Sequence, residues 1–148
     1  MSDGRDDPID VLLIEDDSED ARRIRDSFAD LELEISVHVV ADGSKAVSLL
    51  TDRVDDPTAM PDLIVLNLNL ARMSGLEFLD TIEDEPVIRR LPILVLTRSA
   101  TGEDVRKCYE LPANAYITKP TDPLEYANLV EAIADFWFRH VALPTSAL

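Results

Sequence analysis

The sequence predicts an α/β fold built on a doubly wound, mostly parallel sheet of five strands. Short apolar runs alternate along the chain with helix-like stretches, which is the pattern of successive β and α elements. One of those runs, Pro92-Ile93-Leu94-Val95-Leu96-Thr97, is apolar until its last residue, as expected of a strand buried on both faces. Polar residues gather where the runs end, and in open parallel sheets ligands bind beyond the carboxyl ends of the strands.

The first strand is Ile9–Ile14, after which Ser18 is expected to cap a helix to about Ala29, with Glu19 and Asp20 well placed in its positive first turn. The second strand spans about Glu34–Val40. Asp42-Gly43-Ser44 opens a helix through about Thr51, and the stretch from Arg53 to Pro61 reads as an acidic loop. The third strand is Asp62–Asn67. A loop through Ala71 and Gly75 leads to a helix of about Leu76–Glu83, which Pro86 ends or interrupts. Beyond the fourth strand, a helix of about Gly102–Glu110 precedes the fifth strand, Ala115–Thr118. The last helix, about Pro123–His140, carries Leu124, Ala127, Val130, Ile133, Ala134, Trp137 and Phe138 at helical spacing. Phe136, Trp137 and Phe138 cannot all face one core, because successive helical residues point about 100° apart. The tail Val141–Leu148 is non-helical.

At 148 residues, 46% of them apolar, the chain fits one domain with a real core. The domain is expected over residues 8–144, with flexible termini at 1–7 and 145–148. No apolar run is long enough to cross a membrane and the amino terminus is acidic, which points to a cytoplasmic protein. The single cysteine, Cys108, stands apart from His38 and His140, so neither a disulfide framework nor a Cys/His zinc site is indicated. Thirty acids against fourteen bases give a formal charge of −16, a field that repels nucleic acid. Only Lys45, Lys107 and Lys119 are lysine. Acid-rich, lysine-poor surfaces resemble those of extreme halophiles, where carboxylates hold hydration at high salt.

The first strand finishes in Glu15-Asp16-Asp17, the third in Asn67, the fourth in Thr97 and the fifth in Lys119-Pro120. Singly, each has a bland explanation: a solvated turn, a structural threonine, a surface lysine. Together they place acids, an amide, a hydroxyl and an ammonium at four neighbouring strand ends.

With those residues placed, the chain resembles the receiver domain of two-component response regulators, and in particular the stand-alone type that partners phytochrome-like sensor histidine kinases. The resemblance rests on Leu13-Ile14-Glu15-Asp16-Asp17, Leu63-Ile64-Val65-Leu66-Asn67-Leu68-Asn69-Leu70, Leu94-Val95-Leu96-Thr97, Ala115-Tyr116-Ile117-Thr118-Lys119-Pro120 and Asp135-Phe136-Trp137. It implies a flavodoxin-like (CheY-like) sheet with strand order 2-1-3-4-5. It also implies a Mg²⁺ site made by Asp16 directly, Glu15 through water and the backbone carbonyl of Asn69, since hard oxygens suit this ion. Thr97 matches the hydroxyl that meets the phosphoryl group, Lys119 the ammonium that pairs with it, and Tyr116 the switch aromatic.

The pattern breaks at Asn67, where the family has the aspartate that attacks the phosphoryl donor. A neutral amide with delocalised nitrogen electrons cannot form an acyl phosphate. Ala71 and Ser74 replace a usual proline and a usual aspartate nearby, which favours natural divergence over an engineered Asp-to-Asn exchange. The expected function is a single-domain pseudo-receiver: not an enzyme, with a weak or vestigial Mg²⁺ site, acting on a sensor histidine kinase or other signalling protein through contact. A homodimer is expected through the fourth helix, fifth strand, fifth helix and tail. Two rivals remain at this stage. One is a working receiver that uses Thr97 or Ser99 as acceptor; the other is a metal-dependent phosphoryl-cleaving enzyme, whose paired acids Asn67 and Asn69 would have to replace.

Overall fold

The computed structural model describes residues 8–70, 72–97, 106, 110, 113–120 and 122–140. The elements in chain order are β1 (Ile9–Ile14), α1 (Ser18–Ala29), β2 (Ile35–Val40), α2 (Gly43–Thr51), a 3₁₀ turn at Pro57–Ala59, β3 (Leu63–Asn67), α3 (Gly75–Ile82), α4 (Pro86–Arg89), β4 (Ile93–Thr97), β5 (Ala115–Thr118) and α5 (Pro123–Ile133), which continues as a π-helix over Ala134–His140. The strands form one sheet in the order β2-β1-β3-β4-β5, and every pairing is parallel. The expected fold class is therefore the observed one. The expected termini, the tail, Ala71, Ser99, Cys108 and most of the helix at Gly102–Glu110 lie outside the described residues; of that helix, Arg106 and Glu110 are helical.

Both faces of the sheet are covered, and the side-chain alternation of the central strands divides the core in two. Leu12 and Ile14, Ile64 and Leu66, and Ile93 and Val95 pack with Leu50, Phe78, Leu79 and Ile82 on the α2 and α3 side. Val11 and Leu13, Leu63 and Val65, and Leu94 and Leu96 pack with Ile24, Phe28, Val130 and Ile133 on the α1 and α5 side. β3 and β4 are buried throughout, which is why their sequences do not alternate.

Four expectations need correction. The cap of α1 is Asp17, not Ser18: its carboxylate accepts from the backbone N–H of Glu19 at 3.0 Å and of Asp20 at 3.1 Å, and Ser18 is the first helical residue. Pro86 neither ends nor interrupts α3, which stops at Ile82 with Glu83 as its C-cap; it opens α4, where a missing N–H costs nothing. The last helix is not uniformly α, since its final seven residues are π-helical. Its inward face is also set differently. Leu124 is 68% exposed and Ala127 is exposed, whereas Tyr126, Val130, Ile133 and Ala134 are buried. Tyr126 escapes an apolar count because its ring carries a hydroxyl, yet that ring is the largest fully buried side chain described. Of the aromatic trio, Phe136 does lie on the surface, 57% exposed, with its ring edge-on to Trp137.

Candidate functional site

Among the described residues, the buried polar or charged side chains are Glu15, Asp20, Asn67, Thr97 and Lys119. Strand register brings four of them together. Asn67 is paired with Leu96, one residue before Thr97, and Thr97 with Thr118, one residue before Lys119. The backbone continues this closure past the strands, with Leu68 N–H donating to Leu96 O and Lys119 N–H to Thr97 O. The fifth residue, Asp20, arrives from α1. A buried polar group must find partners or cost stability, so this cluster has to be internally satisfied.

Asn67 is at its centre. Its Nδ2 donates to Glu15 Oε2 at 2.7 Å and to the backbone carbonyl of Asn69 at 3.3 Å, while its Oδ1 accepts from Asn69 N–H at 3.2 Å. The amide orientation follows from these partners, because a carboxylate and a carbonyl only accept and a backbone N–H only donates. The Asn69 side chain donates in turn to Thr97 Oγ1 at 2.9 Å. Glu15 Oε2 also takes the Asp17 backbone N–H at 3.2 Å, and Glu15 Oε1 is ion-paired with Lys119 Nζ.

Lys119 bridges to a second carboxylate, Asp20 Oδ2, at 3.0 Å, and Asp20 Oδ1 accepts from the Tyr126 hydroxyl at 3.3 Å. Arg23 lies 3.9 Å from the same oxygen. Burial of the ammonium pulls the Lys119 pKa down, but its hydrogen bonds to and attraction for Glu15 and Asp20 prevail, and the pKa ends above the usual lysine value. One continuous chain of partners thus runs from Asn69 through Asn67, Glu15, Lys119 and Asp20 to Tyr126, joining β3 to α5.

Glu15, Asn67, Asn69, Thr97 and Lys119 therefore converge as the sequence suggested. Asp16, the residue after Glu15, is exposed. Tyr116 lies on β5 beside Val95, its ring half-buried against the α2 and α3 core and its hydroxyl oxygen buried. Asp20 and Tyr126 were missed. The signal for Asp20 was present: with Ile24 and Phe28 it forms an i, i+4, i+8 row, and an acid in an inward row calls for a buried partner. Gly75 was undervalued too. A Cβ there would lie 2.7 Å from Leu68 Cα and 2.9 Å from Asn67 O, so glycine allows α3 to start against the backbone that carries the site.

These residues do not fit a divalent cation as they stand. Mg²⁺ asks for near-octahedral oxygens at about 2.0–2.1 Å. Two of the three expected ligand groups, Glu15 and the Asn69 carbonyl, already receive the N–H donors of Asn67. Among the described residues no group of three or more His, Cys, Asp or Glu side chains converges to hold a metal.

A parallel 2-1-3-4-5 sheet whose buried polar groups meet at the carboxyl ends of β1, β3, β4 and β5 is a doubly wound α/β domain of the flavodoxin-like class, with its site where that class binds ligands. The family described as the response regulator receiver domain matches residues 11–133, and this chain belongs to it. It is 33% identical over 147 residues to the response regulator Rcp1 of Synechocystis, covering 99% of this chain and 100% of that protein. The crystal structure of the phosphorylated cyanobacterial phytochrome response regulator RcpA superposes with a TM-score of 0.85 at 33% identity, over 93% of this chain and 99% of that one. That of Mn²⁺-bound Rcp1 superposes with a TM-score of 0.82, again at 33% identity and over the same shares. No described helix is long and apolar enough to cross a membrane.

Proposed function

We propose that the chain is a pseudo-receiver of a two-component, phytochrome-associated system, in which Asn67 stands at the phospho-acceptor position and signalling proceeds without a phosphate on that residue. The observation that carries this reading is the placement of the Asn67 carboxamide, with Nδ2 committed to Glu15 Oε2 at 2.7 Å and Oδ1 to the Asn69 N–H. Neither atom is a nucleophile of the carboxylate kind. Thr97, which would meet a phosphoryl group in a working receiver, instead accepts the Asn69 amide. Lys119 pairs with Glu15 and Asp20.

On this reading the protein acts in the cytoplasm by contact with a sensor histidine kinase or another signalling protein. The exposed Leu124 and Phe136 on the last helix and its π-helical extension support pairing of two chains through the face of β5 and the last helix. Incubation with acetyl phosphate and Mg²⁺, followed by intact-mass measurement, tests the central claim: no phosphoryl mass should appear. An acid-labile adduct would overturn it. An acid-stable adduct on Thr97 or Ser99 would instead establish an alternative acceptor, which the complete burial of Thr97 disfavours.

A further inference from the structure

The amide of Asn67 contacts two of the three groups expected around a divalent cation, the Glu15 carboxylate and the Asn69 carbonyl. Its Nδ2 carries two N–H bonds about 120° apart, and they meet a carboxylate oxygen, Glu15 Oε2, and a backbone carbonyl, Asn69 O. These are the two kinds of hard oxygen that hold Mg²⁺ in oxygen-lined sites. On the far side of Glu15, Lys119 Nζ supplies a full positive charge to Oε1.

We propose that the Asn67 NH₂ group is a built-in substitute for the cation, holding the ends of β1 and β3 in a state that no longer responds to Mg²⁺. This rests on the pseudo-receiver reading only in placing Asn67 at the acceptor position. The hydrogen-bonding alternatives support it. For Asn67 to offer Oδ1 to a cation, the amide must turn over. Turning removes donors from Glu15 Oε2 and Asn69 O and aims the NH₂ at the Asn69 N–H, donor against donor. Three contacts are lost, and donor then faces donor at the Asn69 N–H while acceptor faces acceptor at Glu15 Oε2 and Asn69 O, before any ion is bound. Asn69 extends the substitution one step further. Its backbone carbonyl accepts from the substitute and its side chain donates to Thr97, so a single residue links the cation position to the hydroxyl at the end of β4.

The test uses the whole chain and Mg²⁺ alone, with no phosphoryl donor and with ionic strength matched by KCl. Calorimetric titration and thermal melting of the native protein should show no binding heat and no shift in Tm at millimolar Mg²⁺. Asn67→Asp should bind Mg²⁺ at least about tenfold more tightly, the scale on which ligand-shell changes act. Asn67→Ala, which removes the substitute without adding charge, should acquire a Mg²⁺-dependent rise in Tm that the native chain lacks. Should either variant fail to fold, ¹⁵N spectra of the native protein decide: the Asn67 NH₂ pair should exchange slowly with solvent and stay unmoved by Mg²⁺. Equal Mg²⁺ affinity in the native chain and the Asn67→Asp variant, or Asn67 resonances that shift and lose protection on adding Mg²⁺, would overturn the proposal. Acetyl phosphate plays no part in these measurements, so labelling of Thr97 or Ser99 would fell the pseudo-receiver reading and leave this one standing, and the converse holds.

Discussion

Among the described residues Lys119 is the one cation within the buried cluster, held between Glu15 and Asp20 with 5% of its surface exposed. Removing one partner from a buried ion pair leaves an uncompensated charge and costs about 3–5 kcal/mol. Lys119→Met should therefore lower stability by about that amount, and Asp20→Asn in the same chain should recover part of it; urea denaturation of the single and double variants measures both. The pH dependence has a definite sign. The folded pKa of Lys119 is raised above its unfolded value, so its contribution is fully present below about pH 10.4 and is lost as pH rises through the folded pKa. Melts from neutral to strongly alkaline pH should steepen there in the native protein and not in Lys119→Met. Glu15, Asn67, Thr97 and Lys119 were legible in the sequence because each follows or ends an apolar run. Asp20 was not, because two physical roles are superposed on it. It sits in the first turn of α1, where acids favour the helix dipole, and that sufficient explanation conceals its place in an inward row.

Among the elements, the junction between β3 and α3 governs the site. Gly75 N–H donates to Leu68 O, and Ser74 caps the helix by accepting from the Glu77 N–H at 3.1 Å. Ser74, a departure from the family pattern in the sequence, thus has a local task in the structure. Gly75→Ala would drive a methyl group into Leu68 Cα, and backbone cannot yield as a flexible side chain can. Overpacking of this kind costs about 1–3 kcal/mol. The displaced segment carries Asn67 and Asn69, so the variant should lose slow exchange at the Asn67 NH₂ as well as stability. A variant as stable and as protected as the native chain would show that α3 can move away from the strand end without consequence. The strands themselves were read within one residue of their ends, because burial on both faces leaves an unbroken apolar signature in β3 and β4. The last helix was harder to read. Its inward face includes Tyr126, whose hydroxyl serves Asp20, and its final turns are π-helical, which breaks the 3.6-residue period on which periodicity rests.

At the scale of the whole molecule the dominant quantity is the formal charge of −16. Like charges at this density oppose both folding and self-association, and each carboxylate that lacks a cationic neighbour adds to the field. The repulsion is felt locally as well. Asp10, near Asp62 at the start of the sheet, has its pKa raised by partial desolvation and by that neighbour, so the fold holds its charged form at a disadvantage at neutral pH. Salt changes the balance through range: the Debye length falls from about 30 Å at 0.01 M to about 3 Å at 1 M, shorter than most separations on a surface. Two outcomes follow from one KCl series. The Tm should rise strongly between dilute buffer and molar KCl, because screening relieves the folded state, in which the charges are closest. Sedimentation in the same series should show association strengthening with salt, because pairing brings two such fields together while the apolar Leu124 and Phe136 are covered. A salt bridge-driven contact would weaken with KCl, so the direction of the change identifies the force. A flat Tm would remove the proposed adaptation to high salt, and a monomer at high micromolar concentration in molar KCl would remove the proposed dimer; neither result would bear on Asn67, which is buried together with its carboxylate partner Glu15 and so is poorly screened.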